Sequence, residues 1–391
     1  MSKSNTYKAG RHFLQVPGST NIPDRVLRAM DFPAIDHRGP KFQDLSKRIL
    51  DRIKIIFKST DPVVIYPSAG TGAMEASLVN TLNEGDKILM FETGEFARQW
   101  YVAAEKFKIN VDFVPGDWRT GADPEIARQK LLSDKKHEIK AVLVTHNETS
   151  TGIKSRVEEI RKAIDDTNHP ALFMVDTISS LGSYNYEHQK WKVDVTVGGS
   201  QKGLMCPPGL SFNAISNKAM KAYKTSKLTK SYFDWGQMLE NNKNGFYPYT
   251  PAVNLLYGLN ESINMLLEEG LESVFARHKR LADATRLAVE AWGLEILAKN
   301  PIERSDSITR ILVPTGHDSD NLRKIIYDNY DMSLGTGLNK VKGKVFRIGH
   351  MGDLNDLMLV GTLAGVEMGL KQSGIPFKPG GIMAAMDYLS K

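Results

Sequence analysis

This sequence predicts an α/β fold: a large domain around a mainly parallel seven-stranded sheet, followed by a small C-terminal α+β domain. Three observations carry that expectation. Short apolar runs alternate with stretches of period-3.6 apolar spacing, the pattern of βαβ units. The chain has 391 residues, too many for one ordinary core and suited to a large domain plus a smaller one. After Tyr247-Pro248-Tyr249-Thr250-Pro251 the alternation gives way to long helical patterns.

Residues 1–22 are polar, carry glycine and proline, and read as an N-terminal arm lying on the main body. The large domain is expected over 23–270. Its strands are read at Val63–Tyr66, Lys87–Glu92, Val111–Val114, Ala141–Thr145, Leu172–Asp176, Val193–Val197 and Leu210–Ala214, each a short apolar run. Apolar spacing predicts helices over Phe42–Phe57, Ala73–Leu82, Phe96–Phe107, Pro124–Leu132 and Val157–Ile164. Asp123 before Pro124 predicts an N-cap followed by proline at the first helical position. Two long helices follow at about 252–269 and 271–292. The small domain, 271–391, then shows strands at Leu294–Leu297, Thr309–Val313 and Lys344–Gly349, with helices near Asp320–Tyr327, Leu354–Lys371 and Gly381–Leu389.

Hydrophobic residues make up 41% and charged residues 25%, which excludes a disordered chain. No apolar run approaches the roughly 20 residues that cross a bilayer, so no membrane partner is expected. Met1–Lys8 lacks the apolar core of a secretory signal, and the single cysteine, Cys206, suits a reducing compartment; the expected location is the cytoplasm. The net charge of +6 comes from dispersed residues that mostly alternate with acids, as in Val157–Lys162. That pattern fits small anionic substrates, and no nucleic-acid partner is expected.

The chemistry concentrates at strand ends. Lys202 lies in Gly198-Gly199-Ser200-Gln201-Lys202-Gly203, directly after a strand, and Asp176 closes the strand Leu172–Asp176. A carboxylate at the tip of a parallel strand points into the crevice where open α/β sheets hold ligands. A lysine that can bond to a carbonyl, with an aspartate for a pyridinium nitrogen, is the pair that pyridoxal phosphate (PLP) chemistry needs. Taken singly, Lys202 capping a strand or Asp176 capping a helix is the plainer account. Ser68-Ala69-Gly70-Thr71-Gly72 tips the balance: it follows a strand and opens a helix, so its backbone N–H groups offer a phosphate socket.

Three further features leave alternatives open. His146 and Glu148, within Thr145–Gly152, read as an acid/base pair or as structural hydrogen-bonding groups. Arg347, in Val345-Phe346-Arg347-Ile348-Gly349-His350, reads as a carboxylate fork or an internal ion pair. Cys206, in Met205–Gly209, has no His/Asn arrangement around it and reads as packing.

The ordered set Ser68–Gly72, Thr145–Gly152, Val175–Gly182, Gly199–Lys202, Cys206–Gly209, Tyr247–Pro251 and Phe346–Gly349 resembles the class V aminotransferases of PLP fold type I. Within them it is similar to the alanine–glyoxylate and serine–glyoxylate branch, from Pro17–Pro23 to beyond Gly352. His146–Thr149 and Gly337–Asn355 look most like the bacterial serine–glyoxylate enzymes. The resemblance implies PLP as cofactor and transamination of L-serine with glyoxylate to hydroxypyruvate and glycine. Aspartate or alanine as donor is the nearest alternative, and a non-catalytic α/β ligand-binding protein the alternative of another kind. A desulfurase needs a cysteine on a mobile loop, and Cys206 is badly placed for one.

The same resemblance implies the site. Lys202 would bond to the cofactor and shuttle the substrate proton, and Asp176 would keep the ring nitrogen protonated. Ala69, Gly70, Thr71 and Gln201 would hold the phosphate. Phe96 and Ile178 would cover the two ring faces, and Thr149 would bond near the ring hydroxyl. Arg347 would grip the α-carboxylate of small amino acids and 2-oxo acids. Tyr247 and Thr250 would reach the phosphate of the neighbouring subunit, which implies a homodimer with active sites at its interface. Thr71 and Phe96 depart from the histidine and tryptophan of the mammalian alanine enzyme.

Overall fold

The computed structural model describes residues 9–391; Met1–Lys8, the start of the expected arm and the stretch read for a secretory signal, lie outside the described residues. The large sheet has seven strands: β1 (Val63–Tyr66), β2 (Lys87–Phe91), β3 (Asn110–Val114), β4 (Ile139–Thr145), β5 (Leu172–Asp176), β6 (Val195–Gly199) and β7 (Ser211–Ile215). Their spatial order is β1-β7-β6-β5-β4-β2-β3. Strand β7 runs antiparallel to both neighbours, and the other pairs are parallel.

Burial on both faces explains why these strands read as continuous apolar runs. Along β1, Val63 and Ile65 enter one core while Val64 and Tyr66 enter the other. Along β4, Val142 and Val144 face one side, Ala141 and Leu143 the opposite one. Helices Pro40–Ile56 and Val253–Glu269 close the first core, and Gly70–Val79 and Glu95–Lys106 the second. Asp123 accepts a hydrogen bond from the Glu125 N–H at 2.8 Å and Pro124 opens the helix Pro124–Ser133, as its sequence predicts.

Strand β6 is displaced by two residues from its expected bounds and takes in Gly198 and Gly199. Glycine is a poor strand former, but a Cβ at Gly198 would stand 3.2 Å from both Leu181 and Phe212, so a larger residue would have to push these side chains aside. The displacement carries the strand nearer to Lys202.

The small sheet contains β8 (Glu295–Ile296), β9 (Ile308–Leu312), β10 (Met332–Thr336) and β11 (Val345–Gly349), with Phe13–Gln15 as a further edge strand. The order is Phe13–Gln15, β10, β11, β9, β8. Residues 13–15 therefore do more than lie on the main body: they pair in parallel with Met332–Leu334. Gly270, at φ +83°, breaks the helical path between Val253–Glu269 and Leu271–Ala291. The helices Leu271–Ala291, Asp356–Ser373 and Gly381–Leu389 cover the small core around Trp292, Phe346 and Leu363. No described helix is long and apolar enough to cross a membrane.

Candidate active site

Three loops leave the large sheet and converge. The turn after β1 starts helix Gly70–Val79 with Ala69 extended and no side-chain cap; Gly72 N–H donates to Ala69 O at 2.8 Å, and the Gly70 and Thr71 N–H groups are left for an anion. Ile178 follows β5, and Gln201 and Lys202 follow β6. A Cβ on Gly70 would lie 2.3 Å from Ile178 Cδ1. One on Gly199 would lie 3.1 Å from Gln201 Oε1 and 3.4 Å from Ile178 Cγ2. Glycine at these two places lets the three loops approach. Ala69 and Thr71 are exposed at the turn, and Phe96 is half-buried in the first turn of Glu95–Lys106.

Lys202 is 4% exposed, and its Nζ donates to the carbonyl of Pro17 at 2.5 Å. Thr20 closes over the same loop: its N–H donates to Gln201 O at 3.0 Å and its hydroxyl to Lys202 O at 3.2 Å. Burial, with the nearby Arg347 charge, pulls the Lys202 ammonium down to about 7. Asp176 pairs with Val197 across β5 and β6, and its Oδ1 accepts the Ile178 N–H at 2.8 Å. Burial pushes its carboxyl up to about 7, against that hydrogen bond, and the Glu148 charge adds to the rise. Lys202 and Asp176 thus feel each other's charge in a dry pocket, each with its charged form disfavoured.

The hairpin of Asn147–Glu148 and Ile153–Lys154 joins the two sheets. Thr149 donates its hydroxyl to Ser179 Oγ at 2.7 Å, while its carbonyl accepts Arg347 Nη1 at 2.9 Å. Glu148 proves to be a helix-terminus ligand. Its carboxylate accepts the N–H groups of Phe96 at 3.3 Å, Ala97 at 3.0 Å and Ser150 at 2.9 Å. His146 accepts or donates at Ser180 Oγ, 3.0 Å from Nδ1, and stands edge-on to Tyr184 and Trp191. Burial drives it down to about 3, so it stays neutral. The two residues are structural partners of the loop, and no acid/base pair forms between them. Cys206 is buried packing, its thiol pushed up to about 12 by burial.

From the small sheet comes Arg347, 7% exposed on β11 and lowered by burial to about 10. Gly335 opposite it makes room, because a Cβ there would meet Arg347 Nε at 2.8 Å and Pro17 at 2.6 Å. Tyr247 packs edge-to-face with Phe42, and Thr250 is exposed; among the described residues no hydrogen bond joins either to the Lys202 loop.

Pro17, Thr20 and Gly335 escaped the sequence reading as site residues, although Pro17–Thr20 lie within the matched motif. Arg310 escaped it altogether. It stands directly across the ladder from Arg347, is 1% exposed, and has no hydrogen-bond partner for Nε, Nη1 or Nη2. The one available signal was an arginine inside an apolar strand, Ile308-Thr309-Arg310-Ile311-Leu312.

A seven-stranded, mainly parallel sheet with its lysine and aspartate at adjoining strand ends, closed by a small α+β domain, is the architecture of the fold type I transferases. The chain belongs to the class-V aminotransferases, whose family model, Aminotransferase class-V, matches residues 12–342. It is an enzyme that transfers amino groups. It is 47% identical to a serine–glyoxylate aminotransferase of Methylorubrum extorquens, over 98% of this chain and 97% of that protein. It is 44% identical to an L-aspartate–glyoxylate aminotransferase of Paracoccus denitrificans, over 95% of each. Among solved structures, a ureidoglycine–glyoxylate aminotransferase of Bacillus subtilis superposes with a TM-score of 0.90 at 26% identity, over 98% of this chain and 100% of that one.

Proposed function

We propose that this enzyme uses PLP to exchange the amino group of L-serine for the oxo group of glyoxylate, yielding hydroxypyruvate and glycine. The observation that carries the reading is the buried Lys202 amine, lowered to about 7, one strand away from the buried Asp176 carboxyl. Extensive similarity to serine–glyoxylate aminotransferases supports the choice of donor.

The residues fit PLP. Uncapped N–H groups at the Gly70 turn, with the Thr71 hydroxyl and the NH2 group of the Gln201 amide as further donors, suit a phosphate. A Cβ at Gly70 or Gly199 would fill the cradle against Ile178. Ala69, Gly70, Thr71 and Gln201 would hold the phosphate, Phe96 and Ile178 the ring faces, and Thr149 the ring hydroxyl. Tyr247 and Thr250 would complete the phosphate site of a second copy, making the enzyme a homodimer. The single buried cysteine suits the cytoplasm.

Bound PLP supplies an electron sink for the pair left at the substrate's α-carbon. The chain's own groups do the rest. Arg347 binds the α-carboxylate of serine, and later that of glyoxylate, while Thr149 O and Gly335 hold the guanidinium in place. Asp176 would hold the ring nitrogen of the cofactor in its protonated form, and that cation would offset the burial that disfavours the carboxylate. The Lys202 amine, moved toward its neutral form by burial, takes the proton from the α-carbon of serine in the first half of the exchange and delivers one to the α-carbon of glycine in the second. The Pro17 carbonyl orients that amine. Thr20 and Pro17 from the N-terminal segment keep water from the loop, so proton transfer stays within the site.

Purified protein incubated with PLP should turn yellow, with the colour fixed by borohydride at Lys202. It should then turn serine over to hydroxypyruvate catalytically only when glyoxylate is present, with at most about one equivalent per site released in its absence. Protein that neither binds PLP nor turns over serine would reject the reading.

A further inference from the structure

Arg310 and Arg347 face each other across β9 and β11 in the antiparallel ladder. Residues paired this way project from the same sheet face with Cβ atoms about 5 Å apart. Two guanidinium groups so placed repel, and both are buried. Arg347 has a protein acceptor in Thr149 O, though its Nε has none. Arg310 has none at any of its three nitrogens.

Among the described residues no countercharge is free for this pair. Glu148 is the acid whose charge reaches both arginines, and its carboxylate is already bound by three backbone N–H groups. Arg323, whose charge also reaches Arg347, is itself a cation held by Asp320 and Leu334 O. Burial and the Arg347 charge lower Arg310 to about 9, so its cation stands in an unfavourable place. Gly152 lies over Arg310, with its Cα free of any side chain at φ +66°; a Cβ there would touch Arg310 Cβ at 3.5 Å. The hairpin that carries Thr149 therefore roofs both arginines.

Serine and glyoxylate each bring one carboxylate, which Arg347 takes. A second anion is needed to satisfy Arg310, and its position beside Arg347 calls for a ligand whose two carboxylates are close together. We propose that Arg310 is a specificity-determining residue that binds the second carboxylate of a short dicarboxylic amino donor, one of aspartate size, whose α-carboxylate sits on Arg347. This inference rests on the transaminase reading of the same site. It ties acceptance of that donor class to one residue, since a site with one arginine would reject it by burying an unpaired carboxylate.

The test compares aspartate with serine, both against glyoxylate, in the PLP-loaded wild type and in Arg310→Met and Arg310→Lys. In the wild type, aspartate should be a donor, and succinate should inhibit serine turnover far better than propionate. Succinate should also raise the Tm of the wild-type holoenzyme more than propionate does. In Arg310→Met the aspartate-to-serine ratio of kcat/KM should fall about 10- to 100-fold, the range for losing a charge-assisted hydrogen-bonded contact. The Tm response to succinate should vanish with it, and Arg310→Lys should recover part of both. Because methionine removes a buried, unpaired cation, that variant should fold at least as well without ligand. Wild-type enzyme that turns over serine but treats succinate like propionate would overturn the role of Arg310 and leave the serine reading standing. Absence of serine turnover as well would mean that the reading itself has failed.

Discussion

The two halves of the site are built on opposite electrostatic plans. The large-sheet half sets an acid beside a base, Asp176 near Lys202, and burial moves both toward about 7 so that neither is firmly charged. The small-sheet half sets two bases side by side, Arg347 and Arg310, and burial cannot discharge either near neutral pH. Groups poised to exchange a proton suit chemistry, and groups that stay charged suit recognition. The difference assigns proton transfer to one sheet and carboxylate binding to the other, with Pro17 touching both: its carbonyl holds Lys202 and its ring borders Gly335.

That division can be broken by mutation, and the largest effect is expected at Lys202. Lys202→Ala should lower kcat by at least about 10³-fold, because the sole positioned base is gone. Stopped-flow and steady-state assays check it, and a variant keeping wild-type kcat would end the assignment. On the recognition side, Arg347→Lys should raise KM for serine and for glyoxylate by about 10- to 100-fold, since an ammonium cannot reproduce the guanidinium fork. A change confined to kcat would place Arg347 among the chemical groups instead. Gly335→Ala should act in the same direction by about 10-fold, by pushing Arg347 from its seat; initial-rate KM values would show it, and no change would mean the strand gives way.

The smallest effect concerns stability of the cofactor-free protein. Asp176, raised to about 7, holds a proton in the native state that the unfolded chain has lost above its ordinary value of 3.8, so stability falls as pH rises from about 4 to 7. Lys202, lowered to about 7, is neutral where the unfolded chain is still protonated, so stability rises from pH 7 toward its ordinary 10.5. Together they place a shallow minimum near pH 7. Lys202→Met should remove the rising limb, on the order of a few kcal/mol at most. Urea midpoints measured across pH in both proteins test this; identical profiles would contradict the buried, neutralised amine.

Much of the fold was legible. Most strands of the large sheet announce themselves because both faces are covered and the run is mostly apolar, as in Val63-Val64-Ile65-Tyr66, whereas the edge strand β3, Asn110–Val114, is half-exposed and carries Asn110 and Asp112. Strand β10 was missed because Met332-Ser333-Leu334-Gly335-Thr336 mixes small and polar residues, and its identity depends on the ladder with Val345–Gly349. Phe13–Gln15 was missed for the same reason: three residues carry no periodicity, and only their pairing with residues more than 300 positions away makes them a strand. In the site, Glu148 was left open between catalysis and structure, and only the helix beginning at Glu95 decides that it is a ligand for backbone N–H groups.

By itself, the sequence determined the alternation of strands and helices, the glycine-rich turn, and the lysine and aspartate at strand ends, because each depends on neighbours along the chain. It could not determine which carboxylate is dry, which carbonyl holds the lysine, or that Arg310 stands beside Arg347. The tertiary structure decided those, because the charge state and partner of a buried group are set by whatever lies within a few ångströms in space. Here those neighbours come from segments as far apart as residues 17, 149, 202 and 347.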